Sequence, residues 1–187
     1  MKKTIVIAAL VTAGFSISAS AFTFEKNKMT VGVMPFYSIP QGDQGDVLEN
    51  SLGLGISGEY LVRDNVKIGL EMGYAFGYDA KGALKRLDSD YDLKVFNFGP
   101  TVKYFGTSEK LTYYAVAGLG FYNWKTPEIA NRVPADSGTD FGLNVGFGAG
   151  YELDPNWIGG LELRYHTVSG DLDTDFINLG IKLDYKF

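Results

Sequence analysis

The sequence predicts an all-β chain, with eight antiparallel strands in up-and-down order closed into a barrel. Three observations lead there. Apolar and polar residues alternate with a two-residue period along about eight segments, as in strands whose two sides meet different environments. No segment carries a helical period. The connections alternate between long and short, so one end of the meander displays loops and the other only closes hairpins.

The segments follow in order. The first covers about 29–37. "LGLGISGEYLV" then sets Leu52, Leu54, Ile56, Tyr60 and Val62 against Gly53, Gly55, Ser57 and Glu59. "VKIGLEMGYAF" sets Val66, Ile68, Leu70, Met72, Tyr74 and Phe76 against Lys67, Gly69, Glu71, Gly73 and Ala75. The fourth, about 91–105, has apolar parity Tyr91, Leu93, Val95 and then Phe96, Phe98, Val102, Tyr104. One added residue near Val95–Phe96, a β-bulge, reconciles the two halves. The fifth covers about 111–124, and "FGLNVGFGAGYEL" alternates from Phe141 to Leu153. "WIGGLELRYHT" sets Trp157, Leu161, Leu163 and Tyr165 against Gly160, Glu162, Arg164 and His166. The last, "NLGIKLDYKF", places Leu179, Ile181, Leu183, Tyr185 and Phe187 on one face, with Lys182, Asp184 and Lys186 on the other. Short turns fall near 63–65, 107–110 and 154–156, and longer polar loops near 38–50, 79–90, 125–137 and 168–174. Pro35 and Pro100 each remove a ladder donor inside a strand of a barrel that has no free edge, which leaves the local register there open.

The start of the chain reads differently. "MKKTIVIAALVTAGFSISASA" runs from Lys2 and Lys3 through an apolar stretch to Ala19-Ser20-Ala21, the order of a secretory signal peptide. The apolar stretch is short for a bilayer span. The expectation is a signal peptide over 1–21, cleaved after Ala21, and a single barrel domain over 22–187. Loss of Lys2 and Lys3 takes the net charge from −5 to −7. That sign, with no basic cluster, excludes nucleic acid as a partner. The absence of cysteine excludes disulfides and thiol chemistry. Hydrophobic residues at 45% exclude a disordered chain.

The polar faces are mainly Gly, Ala, Ser and Asn with single charges between them. A soluble barrel would dress an outer face with Lys, Glu, Thr and Gln, whereas small residues and spaced charges suit an interior only just wide enough for side chains. The apolar faces then belong in lipid, where an exposed Arg or Lys at mid-membrane costs roughly 2–4 kcal/mol. Aromatics agree with two interfaces. Tyr60, Tyr104, Tyr113, Tyr151, Trp157, Tyr185 and Phe187 sit by the short turns, and Tyr37, Tyr74, Phe76, Tyr91, Phe121, Trp124, Phe141 and Tyr165 by the long loops. The fold class is therefore an eight-stranded antiparallel up-and-down transmembrane β-barrel.

In this the chain resembles the small eight-stranded outer-membrane barrels of Gram-negative bacteria, the family of the OmpX type, the OmpA transmembrane domain and OmpW-like proteins. The alternating, Phe-ending strand "INLGIKLDYKF" carries the resemblance most specifically. It implies an outer-membrane location with periplasmic termini and outward-facing long loops. It also implies that Tyr185 and Phe187 form a signal read by the outer-membrane assembly machinery. The partners it implies are outer-membrane lipid, lipopolysaccharide and an external ligand at the loops, with the barrel itself a monomer.

For chemistry, lumen parity singles out Glu59, Glu71, Glu162, Arg164 and Lys182 as a charge cluster, with Lys67, Lys103, Glu152, Asp184 and Lys186 nearer the short turns. Such charges must be paired inside a barrel. Glu59 and Glu71, on adjacent strands, need a cation such as Arg164 or Lys182 across the lumen. Paired, they form a plug; arranged along a path, they select solutes. His166 and Ser169 in "RYHTVSGD" are similar to the His and Ser of lipid A deacylase barrels. Their spacing is three rather than two, Gly170 follows the serine, and no glutamate follows Glu162, so no catalytic residue is assigned. "GDLDTDF" spaces Asp171, Asp173 and Asp175 like the start of a calcium loop, but Phe176 stands where glycine is required and Lys182 at the twelfth position. No metal site and no cofactor are assigned.

The reading that follows is a non-enzymatic protein with an envelope-structural or surface-interaction role carried by its extracellular loops. The alternative is a narrow channel for small solutes or small apolar molecules, OmpW-like, with Met34, Phe36 and Leu61 at an apolar mouth. Lipid A modification stands third.

Overall fold

A computed structural model of the chain describes residues 25–87, 91–128 and 134–187. The predicted signal segment and its cleavage point lie outside these residues, as do parts of two of the long connections. After a single 3-10 turn, Lys26–Lys28, the strands are β1 (Met29–Gln41), β2 (Ser51–Arg63), β3 (Val66–Asp79), β4 (Asp92–Ser108), β5 (Leu111–Thr126), β6 (Asp136–Glu152), β7 (Trp157–Ser169) and β8 (Asp175–Lys186). Each pairs antiparallel with the next, and β1 pairs with β8, so the sheet closes with no free edge. At 12 to 17 residues every strand exceeds the 9–11 or so that a tilted strand needs to cross a bilayer. Two short helices, α1 (Asp43–Val47) and α2 (Gly82–Leu87), sit in the first two long loops. With five and six residues they are too short to carry a readable helical period.

Alternation sorts the side chains. Leu52, Phe147, Leu161 and Ile181 lie outside, each about 60% exposed or more, and form part of an apolar girdle suited to lipid. Arg164, Glu162, His166 and Lys182 lie inside, almost fully buried. The loop end of the lumen is closed by an apolar cluster that includes Tyr78, Leu93, Val95, Trp124, Leu172 and Phe176. Tyr78 stacks on Phe176 with ring centroids 5.2 Å apart, and its hydroxyl meets that of Ser38 at 2.6 Å. Trp124 and Tyr91, expected in the outer aromatic belt, belong to this cap instead: Trp124 is buried and Tyr91 packs against the cluster.

The cap also corrects the expected bulge. β4 alternates without interruption, Leu93 and Val95 inward, Phe96 and Phe98 outward. The register shift lies opposite, on β3 between Ala75 and Tyr78, and turns both inward. The parity change at Val95–Phe96 marks a change in the lumen's chemistry, from polar at mid-wall to apolar at the mouth. At the β3 bulge Gly77 has φ +155°, and a Cβ there would lie 3.2 Å from Asp92 Oδ2.

Neither proline shifts the register. Pro35 faces outward and pairs with Leu54, while on its other side pairing runs from Val33–Leu183 to Phe36–Gly180 with one offset. Pro100 pairs with Leu70, and the β5 side likewise keeps its offset from Phe98–Phe121 to Thr101–Gly118. Beside Pro100, a Cβ on Gly99 would collide with the Leu119 carbonyl oxygen, so the strands approach closely where the ladder loses a donor.

Candidate functional site in the barrel lumen

Inward-facing charges from five strands meet at mid-wall in two linked ion networks. In the lower one, towards the short turns, Glu59 from β2 is the centre. It pairs with Lys103 from β4, with Lys182 from β8 at 2.9 Å and with Lys67 from β3 at 3.4 Å. Asp184 lies 3.5 Å from the Lys182 ammonium, and Lys67 donates to Thr30 Oγ1 at 2.9 Å. In the upper one Arg164 from β7 contacts Glu71 from β3 through Nη1 and Glu162 through Nη2. Tyr114 joins the two networks. Its hydroxyl donates to Glu162 Oε2 at 2.8 Å, and its ring lies 4.4 Å from the Lys103 ammonium.

Glycine across the strands leaves room for this. A Cβ on Gly148 would strike the Tyr114 ring, and one on Gly32 would strike Asp184. The backbone at these two points faces the space that long polar side chains fill.

All five residues of the sequence-derived cluster therefore lie in the lumen, but in two groups. Glu59 and Lys182 belong to the lower network, and Glu71, Glu162 and Arg164 to the upper. Lys67, Lys103 and Asp184, placed lower on parity, are partners of the same network and belong to the site. Tyr114 was missed. The fifth segment is assigned by its bounds alone, with no residue of it turned inward.

Directly above the ion networks the lumen is lined by polar side chains, among them His166, Tyr122, Asn144 and Asn178. His166 takes the Tyr122 hydroxyl at Nδ1, 2.8 Å, and faces the Asn178 amide at Nε2, 3.1 Å. Ser169 lies on the opposite, exposed face of β7 and is therefore not a partner of this histidine. Of the loop aspartates, Asp175 accepts from the Tyr165 hydroxyl. No group of three or more candidate metal ligands occurs among the described residues. Met34 and Phe36 are buried in the lumen. Leu61 lines a cavity at the opposite, short-turn end, so it does not share an outer mouth with them.

On the terminal strand Tyr185 lies between Trp157 and Phe187, both ring pairs edge-on at 4.9 Å. The Phe187 amide donates to the Met29 carbonyl at 3.2 Å, which ties the last residue to the first strand.

Solved structures share this architecture. Neisserial surface protein A is 16% identical over 86% of this chain and 97% of its own, with a TM-score of 0.68. The attachment invasion locus protein Ail of Yersinia pestis is 15% identical over 86% and 99%, with a TM-score of 0.61. The N-terminal β-barrel domain of Pseudomonas aeruginosa OprF is 16% identical over 83% and 97%, at 0.55. At these identities the likeness is one of fold. No curated relative matches the sequence. Residues 7–187 match the family described as the outer membrane protein beta-barrel domain. The chain belongs to that family, and its place is the outer membrane of a Gram-negative cell.

Proposed function

We propose that the protein is a non-enzymatic, monomeric barrel whose role is structural or adhesive at the cell surface, exerted through its external loops. The observation that carries this is the filled lumen. From the Glu59 network through Arg164 and His166 to the Trp124 cap, successive layers of buried side chains occupy it. A barrel blocked in this way offers the outside its loop surface and little else. Ion pairs that each have a partner suit a rigid plug better than a conducting path. In the same reading residues 1–21 are removed on export, and Tyr185 and Phe187 serve as the assembly signal.

Among the relatives of this fold, Ail has been solved with the heparin analogue sucrose octasulfate. This chain carries Asp43, Asp46 and Glu49 in its first long loop and Asp171 and Asp173 in its last. That charge opposes a polysulfated ligand and favours a neutral or cationic partner.

The test is single-channel recording of the protein in planar bilayers, with Glu71→Gln and Lys182→Gln alongside. Silence in the unaltered protein is expected. Discrete steps whose size or ion selectivity changes with either substitution would overturn the plug and put a channel first.

A further inference from the structure

The plug leaves one part of the lumen open. At the short-turn end, the periplasmic end of such a barrel, lies a cavity of about 240 Å³. The ammonium-bearing side chains of Lys67, Lys103 and Lys182 line it, and Leu61, Phe105 and Ile158 form apolar wall. Lys103 and Lys182 are each more than nine-tenths buried.

The charge count is uneven along the barrel axis. In the lower network three ammonium groups share two carboxylates, Glu59 and Asp184. In the upper network one guanidinium serves two carboxylates, Glu71 and Glu162. The lumen is thus balanced as a whole but polarised, with its surplus cation next to the open cavity. An ammonium has three donors. Lys103 gives one to Glu59 and rests on the Tyr114 ring.

We propose that this vestibule is a binding site for a small organic monoanion, a carboxylate on a compact apolar body, entering from the periplasm. The carboxylate seats among Lys67, Lys103 and Lys182, where it completes the lower network, and the body lies against Leu61, Phe105 and Ile158. Asp184 and Glu152 line the same cavity and set the limit. Glu152 is held by Lys186 at 3.3 Å. One negative charge is therefore matched, and a second is not. The volume is below that of a drug-sized pocket and suits a single-ring acid.

The experiment uses protein purified from outer membranes and placed in phosphatidylcholine nanodiscs, titrated with para-fluorobenzoate and followed by fluorine NMR. Empty nanodiscs report partition into lipid, and para-fluorobenzyl alcohol replaces the carboxylate with a neutral group. A saturable shift above the empty-disc control is expected, with the alcohol weaker by about tenfold or more, the loss of one charge-assisted contact. Thr112→Trp fills the cavity without touching a charge and should abolish the shift, and Lys103→Met should weaken it. A heat-dependent mobility shift on gels confirms that each variant is folded. No saturable signal beyond lipid partition, equal affinity for the alcohol, or unchanged binding in folded Thr112→Trp would each overturn the proposal. Should neither variant fold, the comparison of acid with alcohol on the unaltered protein decides. None of these outcomes bears on whether the barrel conducts.

Discussion

Arg164 is among the largest fully buried side chains, and its guanidinium is the cation contacted by both Glu71 and Glu162. Removing one partner of a buried ionic group costs more than the group's net contribution, because it strands the charge left behind. Arg164→Met leaves two carboxylates facing each other in the lumen. It is expected to destabilise the barrel by on the order of 3–5 kcal/mol, read as a lower urea midpoint for unfolding in micelles. Adding Glu71→Gln and Glu162→Gln should restore most of that loss, since amides need no counter-charge. A triple variant as unstable as the single one would show that Arg164 acts through packing. Parity in the sequence was enough to turn all three residues inward. It did not give their heights, because the stagger between strands decides which inward residues meet. Glu59 and Glu71 sit on adjacent strands, yet they answer to different cations.

At the scale of elements, the outer mouth depends on how the last long loop folds back into it. Asp140 on β6 accepts from the Trp124 indole N–H at 2.9 Å and from the Leu172 amide at 2.7 Å. That carboxylate holds the 170–174 connection over the lumen with Leu172 turned into the cap. Asp140→Ala strands two buried donors, each worth about 1–3 kcal/mol. Amide exchange in 170–174 should rise roughly tenfold to a hundredfold, and Trp124 emission should move to the red. Exchange across the β1–β8 seam should stay as it was, and a uniform rise would mean that the loop is not an independent element. On β3 the bulge at Gly77 needs a backbone that residues with a side chain seldom adopt. Gly77→Ala should therefore cost about 1–3 kcal/mol, measured by the same unfolding midpoint. The strands themselves were legible because their two faces meet lipid and lumen, the strongest contrast a two-residue period can carry. The bulge was misplaced from β3 to β4 for the same reason. Where the lumen turns apolar the contrast fades, and Leu93 and Val95 look like residues of the lipid face.

The molecule as a whole has two barriers in series, and they differ in kind. The outer one is the apolar cap of Tyr78, Trp124, Leu172 and Phe176, held by side-chain packing and by Asp140. The inner one is the upper ion network, in which Arg164 on β7 is held by Glu162 on the same strand and by Glu71 on β3. A cap can be loosened without disturbing the wall, since its loop contributes little to strand pairing. That network ties opposite sides of the wall together, Glu71 on β3 to Arg164 on β7. Opening either barrier alone therefore leaves the other in the path. Trp124→Ala with Leu172→Ala should remove the cap and still give no conductance, because the Arg164 layer remains shut. Arg164→Ser with Glu71→Ser and Glu162→Ser should widen mid-wall and also stay silent beneath an intact cap. Only the five substitutions together should produce steps in a planar bilayer, small ones for so narrow a lumen. If the cap variant alone conducts, the upper network does not seal the barrel and the interior charges line a path. If the five together stay silent while the protein remains folded, a third obstruction exists. The lysine layer around Glu59 is then the part that closes it.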